Sequence, residues 1–152
     1  MSTAIETQTP NSFEKLMTGL LYSLLSWKQL EDFWPKINTQ TGWYIYAIGE
    51  ALPEATSTPD EVTGFIKRID ELLHNDHQES YCGIVYADNV DNPSFIKIYD
   101  PNNLGVSCGS SKNPPLPGWI MSTMPPIELH PKGIIPANRK RWWQSFLSSV
   151  NN

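Results

Sequence analysis

The chain of 152 residues and 17.2 kDa has the length of one ordinary domain, which can bury a core without disulfides or metals. Its net charge of -5 and its 39% hydrophobic, 11% aromatic and 18% charged residues exclude wholesale disorder, collagen and a coiled coil. The longest apolar stretch, near Leu20 to Leu25, is too short for a membrane helix, and residues 1–9 lack the basic start of a secretory signal. We therefore expect a soluble cytoplasmic protein with no membrane partner.

The N-terminal third predicts a tail followed by two helices. Residues 1–10 are polar and end in a proline, which predicts a disordered tail and a single α+β domain over 11–152. Apolar residues at helical spacing predict a helix over 12–25. A second, short helix is expected to begin after Ser26, because Gln29 completes a capping box, and to end at Pro35.

A strand and a long amphipathic helix come next. The aromatic and β-branched residues 43–48 predict a buried strand. A helix-start signal follows at Thr58, Pro59 and Glu61. The threonine is a good N-cap, the proline fits the first turn, and the glutamate side chain can accept a hydrogen bond from the N-cap amide. The apolar stripe that follows predicts a helix ending near His74.

The rest of the chain predicts an antiparallel sheet and a closing helix. Tyr81–Ala87 and Ser94–Tyr99 flank a polar turn, which predicts a central β-hairpin, with helices on one side of the sheet only. Prolines and glycines predict a long loop over 101–118 before a last strand, Trp119–Met124. Residues 136–150 predict a C-terminal helix. The expected fold is α+β, a mostly antiparallel sheet of about four strands with helices packed on it.

Charge is distributed unevenly along the chain. Residues 1–100 hold six Lys/Arg and fifteen Asp/Glu, whereas residues 101–152 hold five Lys/Arg and a single acid, Glu128. The two parts either pack together and neutralise each other, or the basic part meets an anionic partner. The acidic total charge and the few clustered cations make a protein partner the expectation and argue against nucleic acid.

The C-terminal helix is a candidate docking surface, because it combines cations with flat aromatic side chains. Adjacent tryptophans on a helix point about 100° apart, so one of them is expected to lie partly exposed while the other packs on the sheet. Arg139 and Lys140 are expected to point into solvent. Replacing Arg139, Lys140 and Arg141 by serine is expected to change the stability of the protein by about 1 kcal/mol or less. The candidate partner-binding residues of the helix are Arg139, Lys140, Trp142 and Trp143.

The loop over 101–118 is the second candidate partner-binding segment, through Asn102, Asn103 and Cys108, because long loops within small domains often carry function. The alternative is a structural Asx turn at its start, at Asp100, followed by a solvated crossover. Cys108 is also a candidate catalytic nucleophile, since small neighbours leave room for a substrate. No histidine lies beside it in the sequence to serve as its base.

The remaining candidates concern the histidines and the second cysteine. His74 and His77 are spaced so that both could ligate a metal on one helix face, or they are exposed residues that complement the helix dipole. Cys82 is expected to be a buried, inert thiol. No motif predicts a cofactor.

The sequence thus predicts a small non-enzymatic binding or accessory protein that acts through protein–protein contacts. The alternatives are a thiol-dependent enzyme that uses Cys108 and a metal-binding protein that uses His74 and His77. The first hypothesis is favoured because Cys108 has no base beside it in the sequence and because the helix that would align His74 with His77 is ending there.

Overall fold

Residues 13–102, 116–130 and 135–150 are described by a computed structural model, and they form an α+β fold as predicted. The predicted tail over 1–10 lies outside these residues. The described residues form four α-helices, α1 (13–18), α2 (Trp27–Phe33), α3 (Pro59–Asp76) and α4 (Ala137–Val150), with a 3-10 helix at Trp34–Lys36. The same residues form five strands, β1 (Tyr22–Ser23), β2 (Tyr44–Ala47), β3 (Val85–Ala87), β4 (Phe95–Ile98) and β5 (Trp119–Ser122).

The two predicted capping boxes set the starts of α2 and α3. The Ser26 side chain accepts from the Gln29 amide while the Gln29 side chain accepts from the Ser26 amide. Thr58 and Glu61 form the same reciprocal pair, with Glu61 Oε1 2.7 Å from the Thr58 nitrogen. Each pair satisfies amides that a helix start leaves without intrahelical partners, so both helices begin where the sequence predicts.

The sheet is antiparallel throughout, in the order β1-β3-β4-β5-β2. The predicted hairpin is confirmed: Val85 faces Ile98 and Ala87 faces Ile96, and its two strands lie in the middle of the sheet. β5 lies beside β4 and also pairs with β2. The long connection between β4 and β5 therefore leaves and re-enters the sheet at neighbouring positions.

The predicted helix over 12–25 is wrong beyond residue 18, which is why the sheet has five strands rather than four. Gly19 follows the helix, and a Cβ at this position would lie 2.6 Å from the Lys15 carbonyl oxygen, so the close backbone approach there requires glycine. The chain then extends, and Tyr22 and Ser23 pair with β3. The leucines whose spacing predicted a helix lie instead in an extended segment, in which Leu24 is buried.

Both faces of the sheet are covered, so the expectation of helices on one side only is also wrong. One face packs against α3 and α4 through a core that includes Ile96, Ile98 and Met121. The other face buries Phe95 and Ile120 against Phe13 of α1 and the segment after β5. Burial on both faces explains why β5 is buried at every position.

Candidate functional site

The base of the predicted recognition loop is a fixed structure at the end of β4. The Gly118 amide donates to the Ile98 carbonyl at 2.9 Å, which closes the two ends of the loop against each other. The Asn102 amide donates to Asp100 Oδ1 at 2.9 Å, so the loop begins with the Asx turn that the sequence suggested. Asn102 is exposed, whereas Asn103 and Cys108 lie outside the described residues.

Arg139 joins this loop base to α4. Its Nε donates to Asp100 Oδ2 at 2.8 Å and its Nη2 donates to Asp100 Oδ1 at 2.9 Å, the two parallel bonds of a bidentate ion pair. Nη2 also donates to Asp76 Oδ2 at 2.7 Å, at the end of α3. One guanidinium therefore holds together the ends of α3 and β4 and the start of α4.

The predicted exposure of Arg139 is wrong, because only 8% of the residue is accessible. Burial by itself lowers the pKa of Arg139, but the hydrogen bonds and charges of Asp100 and Asp76 outweigh it and raise the pKa overall. The basic part of the chain thus packs in part against the acidic part. Nothing in the spacing of Asp76, Asp100 and Arg139 along the sequence indicates that they meet.

The two tryptophans of α4 differ in burial, nearly as predicted. Trp143 is buried and contacts Phe65 of α3 at 6.5 Å between ring centroids. Trp142 is partly buried, with its ring 5.4 Å from that of Trp119 on β5 and 6.3 Å from that of Phe65. Phe146 completes the packing on Phe65. The tryptophans therefore act mainly in anchoring α4 to the sheet and to α3.

The opposite side of α4 is exposed and basic, and we call it the α4 outer face. At 100° per residue its members occupy one continuous arc of the helix. The α4 outer face comprises Lys140, Arg141, Gln144, Leu147 and Ser148. Leu147 is 39% exposed, and neither Lys140 nor Arg141 forms an ion pair with any residue that the structure describes. Sequence reasoning found Lys140 but did not find Gln144 or Leu147 as members of this face.

His74, His77 and Cys82 lie close together at the end of α3, with Trp27 against both imidazole rings. His77 is buried, and its Nε2 donates to the Cys82 carbonyl at 2.9 Å, so the predicted exposure of His77 is wrong. His74 stacks on Trp27 at 4.2 Å between ring centroids, and its Nε2 lies 3.4 Å from Asp70 Oδ1. In the described parts of the chain, no group of three or more His, Cys, Asp or Glu residues could hold a metal ion.

Cys82 has the buried position that the sequence predicts. It is fully buried as a free thiol, although it lies before β3 rather than within a strand. Burial raises the pKa of the Cys82 thiol, and nearby backbone amides oppose the rise only in part. A thiol that is both inaccessible and protonated is a poor nucleophile.

The exposed apolar residues in and beside β1 are the surface feature that sequence reasoning missed most completely. Leu20, Tyr22 and Leu25 are 80%, 51% and 62% exposed. Tyr22 belongs to the edge strand β1, which pairs on one side with β3, and the two leucines lie just before and after this strand. Exposed apolar residues on an uncharged edge are a recognised place for association between chains. A helix prediction conceals such an edge, because it assigns the same leucines to a buried stripe.

The chain was compared with known protein families, curated proteins and solved structures, and none of them matches. Among the described residues, no helix combines the length and the apolar character needed to cross a bilayer. Function is therefore inferred from the side chains themselves.

Proposed function

We propose that the protein is a non-enzymatic binding or accessory protein that docks an acidic surface of a partner protein on the α4 outer face. The observation that carries the proposal is the pair of exposed cations, Lys140 and Arg141, without ionic partners among the described residues, beside the exposed Leu147. A cationic, partly apolar helix face on a chain of net charge -5 favours an acidic protein surface over the strongly anionic backbone of nucleic acid.

The packing of α4 supports this proposal because it presents the face on a rigid element. Trp143 and Phe146 fix the helix on Phe65, and Arg139 fixes its first turn to Asp100. Binding through a preorganised helix loses little conformational entropy. Arg139 and Trp143 thus support the docking surface from beneath.

Asn102 extends the proposed surface at the start of α4. Its exposed side chain follows Asp100, which Arg139 bonds directly, so the loop base and α4 lie side by side. Asn103 and Cys108 lie outside the described residues and contribute nothing to the proposal. We place the action of the protein in the cytoplasm, where a free thiol such as Cys82 persists in its reduced form.

The proposal is tested by affinity capture from the native host with three forms of the chain: the natural one, the double variant Lys140→Ser/Arg141→Ser, and the matched control Lys15→Ser/Lys67→Ser. The control removes two other exposed cations, one from α1 and one from α3. We expect a partner with an acidic surface that binds the natural chain and the control, is released by salt, and is lost from the Lys140/Arg141 variant. Retention by that variant, or equal loss from both, would contradict the proposal.

A further inference from the structure

A row of facing residues crosses the sheet on the side covered by α1, and one end of the row is polar. The strand register places Ser23 opposite Tyr86, Tyr86 opposite Lys97, and Lys97 opposite Ile120. Residues directly opposite each other in antiparallel strands project from the same face of the sheet. Ser23, Tyr86 and Lys97 therefore form a continuous polar strip on a face whose other end is apolar.

Two tyrosine rings flank the ammonium group of Lys97. Its Nζ lies 6.0 Å from the ring centroid of Tyr86 and 5.7 Å from that of Tyr99, and the two rings are 5.7 Å apart. Nζ also donates to the Met17 carbonyl at the end of α1, at 3.0 Å. The Met17 carbonyl accepts one of the three N–H groups of the ammonium, and no other described residue accepts a hydrogen bond from it.

No acidic residue in the described part of the chain pairs with the Lys97 ammonium. Lys97 is partly buried, yet within the described ranges it contacts no carboxylate, and burial lowers its pKa with no acid acting against it. The hydroxyls of Tyr86 and Tyr99 donate to no described residue, and the buried Ser23 Oγ has no hydrogen-bond partner in the described chain. Among the described residues, Ser23 Oγ is the buried side-chain polar atom that lacks a partner, whereas the two phenol hydroxyls are accessible. These accessible, unbonded hydroxyls beside a partly buried ammonium can therefore donate to a ligand.

We propose that Lys97, Tyr86 and Tyr99 bind a small oxyanion, the chemistry that carboxylates and phosphates share. The ammonium would supply the charge and two hydrogen bonds, and the phenol hydroxyls would supply neutral donors to the remaining oxygens. Because the ammonium is partly withdrawn from water, its attraction for an anion is stronger than that of an exposed lysine. This site is separate from the α4 outer face, and neither proposal depends on the other.

The test is an NMR titration of the natural chain with inorganic phosphate and, in parallel, with acetate, at constant ionic strength and pH. We expect saturable shifts of the Lys97, Tyr86 and Tyr99 side-chain signals. Saturation by both anions supports a general oxyanion site, by phosphate alone a phosphoryl ligand, and by acetate alone a carboxylate ligand. The absence of saturable shifts with either anion at millimolar concentrations would overturn the proposal.

Variants separate a site from nonspecific attraction. Lys97→Gln is expected to weaken binding about tenfold or more, and Tyr86→Phe or Tyr99→Phe several-fold, since each phenylalanine keeps the ring and removes one donor. Lys36→Gln, which removes an exposed lysine paired with Asp91, is the matched control and leaves the affinity unchanged. If Lys97→Gln does not fold, the affinities of Tyr86→Phe and Tyr99→Phe test whether the site exists. Equal affinity in these variants and the control would contradict the proposal.

Discussion

Arg139 and Asp100 are joined by two parallel hydrogen bonds, 2.8 Å and 2.9 Å long, with the guanidinium almost completely buried. The pair links the last helix of the chain to the end of a central strand. Asp76 shares the same guanidinium, so its positive charge faces two carboxylates. The geometry uses the planar, forked donor set that distinguishes arginine from lysine.

We expect Arg139→Met to lower the free energy of unfolding by about 2 to 4 kcal/mol, because it leaves Asp100 and Asp76 partly buried without a counter-charge. Arg139→Lys is expected to recover only part of the loss, since an ammonium cannot make both parallel bonds. Urea unfolding monitored by tryptophan fluorescence provides the measurement.

The matched control is the double variant Lys140→Ser/Arg141→Ser, whose side chains are exposed. This variant is expected to change stability by about 1 kcal/mol or less. The sequence predicted a stability change this small for replacing Arg139, Lys140 and Arg141 together. The structure limits that expectation to Lys140 and Arg141. A loss as small for Arg139→Met as for the control would show that the buried ion network contributes little.

Cys82 is expected to resist thiol reagents in the folded protein. It is fully buried, and burial raises its thiol pKa, so both access and thiolate fraction are low. Labelling of the Cys108→Ser variant, in which Cys82 is the only thiol left, should proceed at the rate of unfolding and accelerate with urea. Rapid labelling of this variant in native buffer would contradict the burial of Cys82.

Alkaline pH is expected to destabilise the protein through Tyr46. Burial raises the pKa of Tyr46, with a further rise from Glu128, although its hydrogen bond to Leu129 opposes the change. In the unfolded chain this hydroxyl ionises near pH 10, before the folded one does. The stability that it contributes is therefore complete below about pH 10 and is lost as the pH rises through the folded pKa.

The measurement is the free energy of unfolding as a function of pH for the natural chain, Tyr46→Phe and Tyr22→Phe. The Tyr46 hydroxyl bonds both the amide and the carbonyl of Leu129, so its removal should cost about 1 kcal/mol at neutral pH and flatten the alkaline decline. Tyr22 is exposed and serves as the control. An alkaline slope that is the same in all three chains would exclude Tyr46 as its source.

Gly118→Ala is expected to destabilise the loop base. A Cβ at this position would lie 3.2 Å from the Asp100 Cβ and 3.4 Å from its nitrogen, so the loop must shift and strain the pair with Arg139. We expect a loss of about 1 to 2 kcal/mol in thermal or urea unfolding.

Gly64→Ala is the matched control for Gly118→Ala. Gly64 lies within α3, and a Cβ added there would meet no atom within 4 Å, so alanine should stabilise the helix by up to about 1 kcal/mol. Opposite signs for the two substitutions are expected. Stabilisation by both would mean that the contact between Gly118 and Asp100 does not constrain the loop.

Local signals in the sequence predicted much of the fold. The capping boxes at Ser26 and Thr58 set two helix starts, because each is a contact between residues three apart. The hairpin of β3 and β4 followed from two apolar runs around a polar turn. In each case the deciding interactions lie within a few residues of one another, where periodicity and turn chemistry are informative.

Errors arose where distant contacts decide the structure. The leucines after Gly19 satisfy a helical spacing, but pairing with β3 makes the segment extended. Arg139 looked like a surface cation because both of its acidic partners belong to other elements, and only the folded chain brings them together. The polar strip at Lys97 likewise exists only through the register of three strands.

The strand order also has a consequence for the rate of folding. β2 precedes α3 in the chain, yet it pairs with β5, so that Tyr44 faces Ser122. The β3–β4 hairpin can form from a short segment of the chain. The pairing of β2 with β5 instead requires a long loop to close, and the entropy lost in that closure precedes any stabilising contact between the two strands. We therefore expect the hairpin to form early and the joining of β2 to β5 to limit the folding rate.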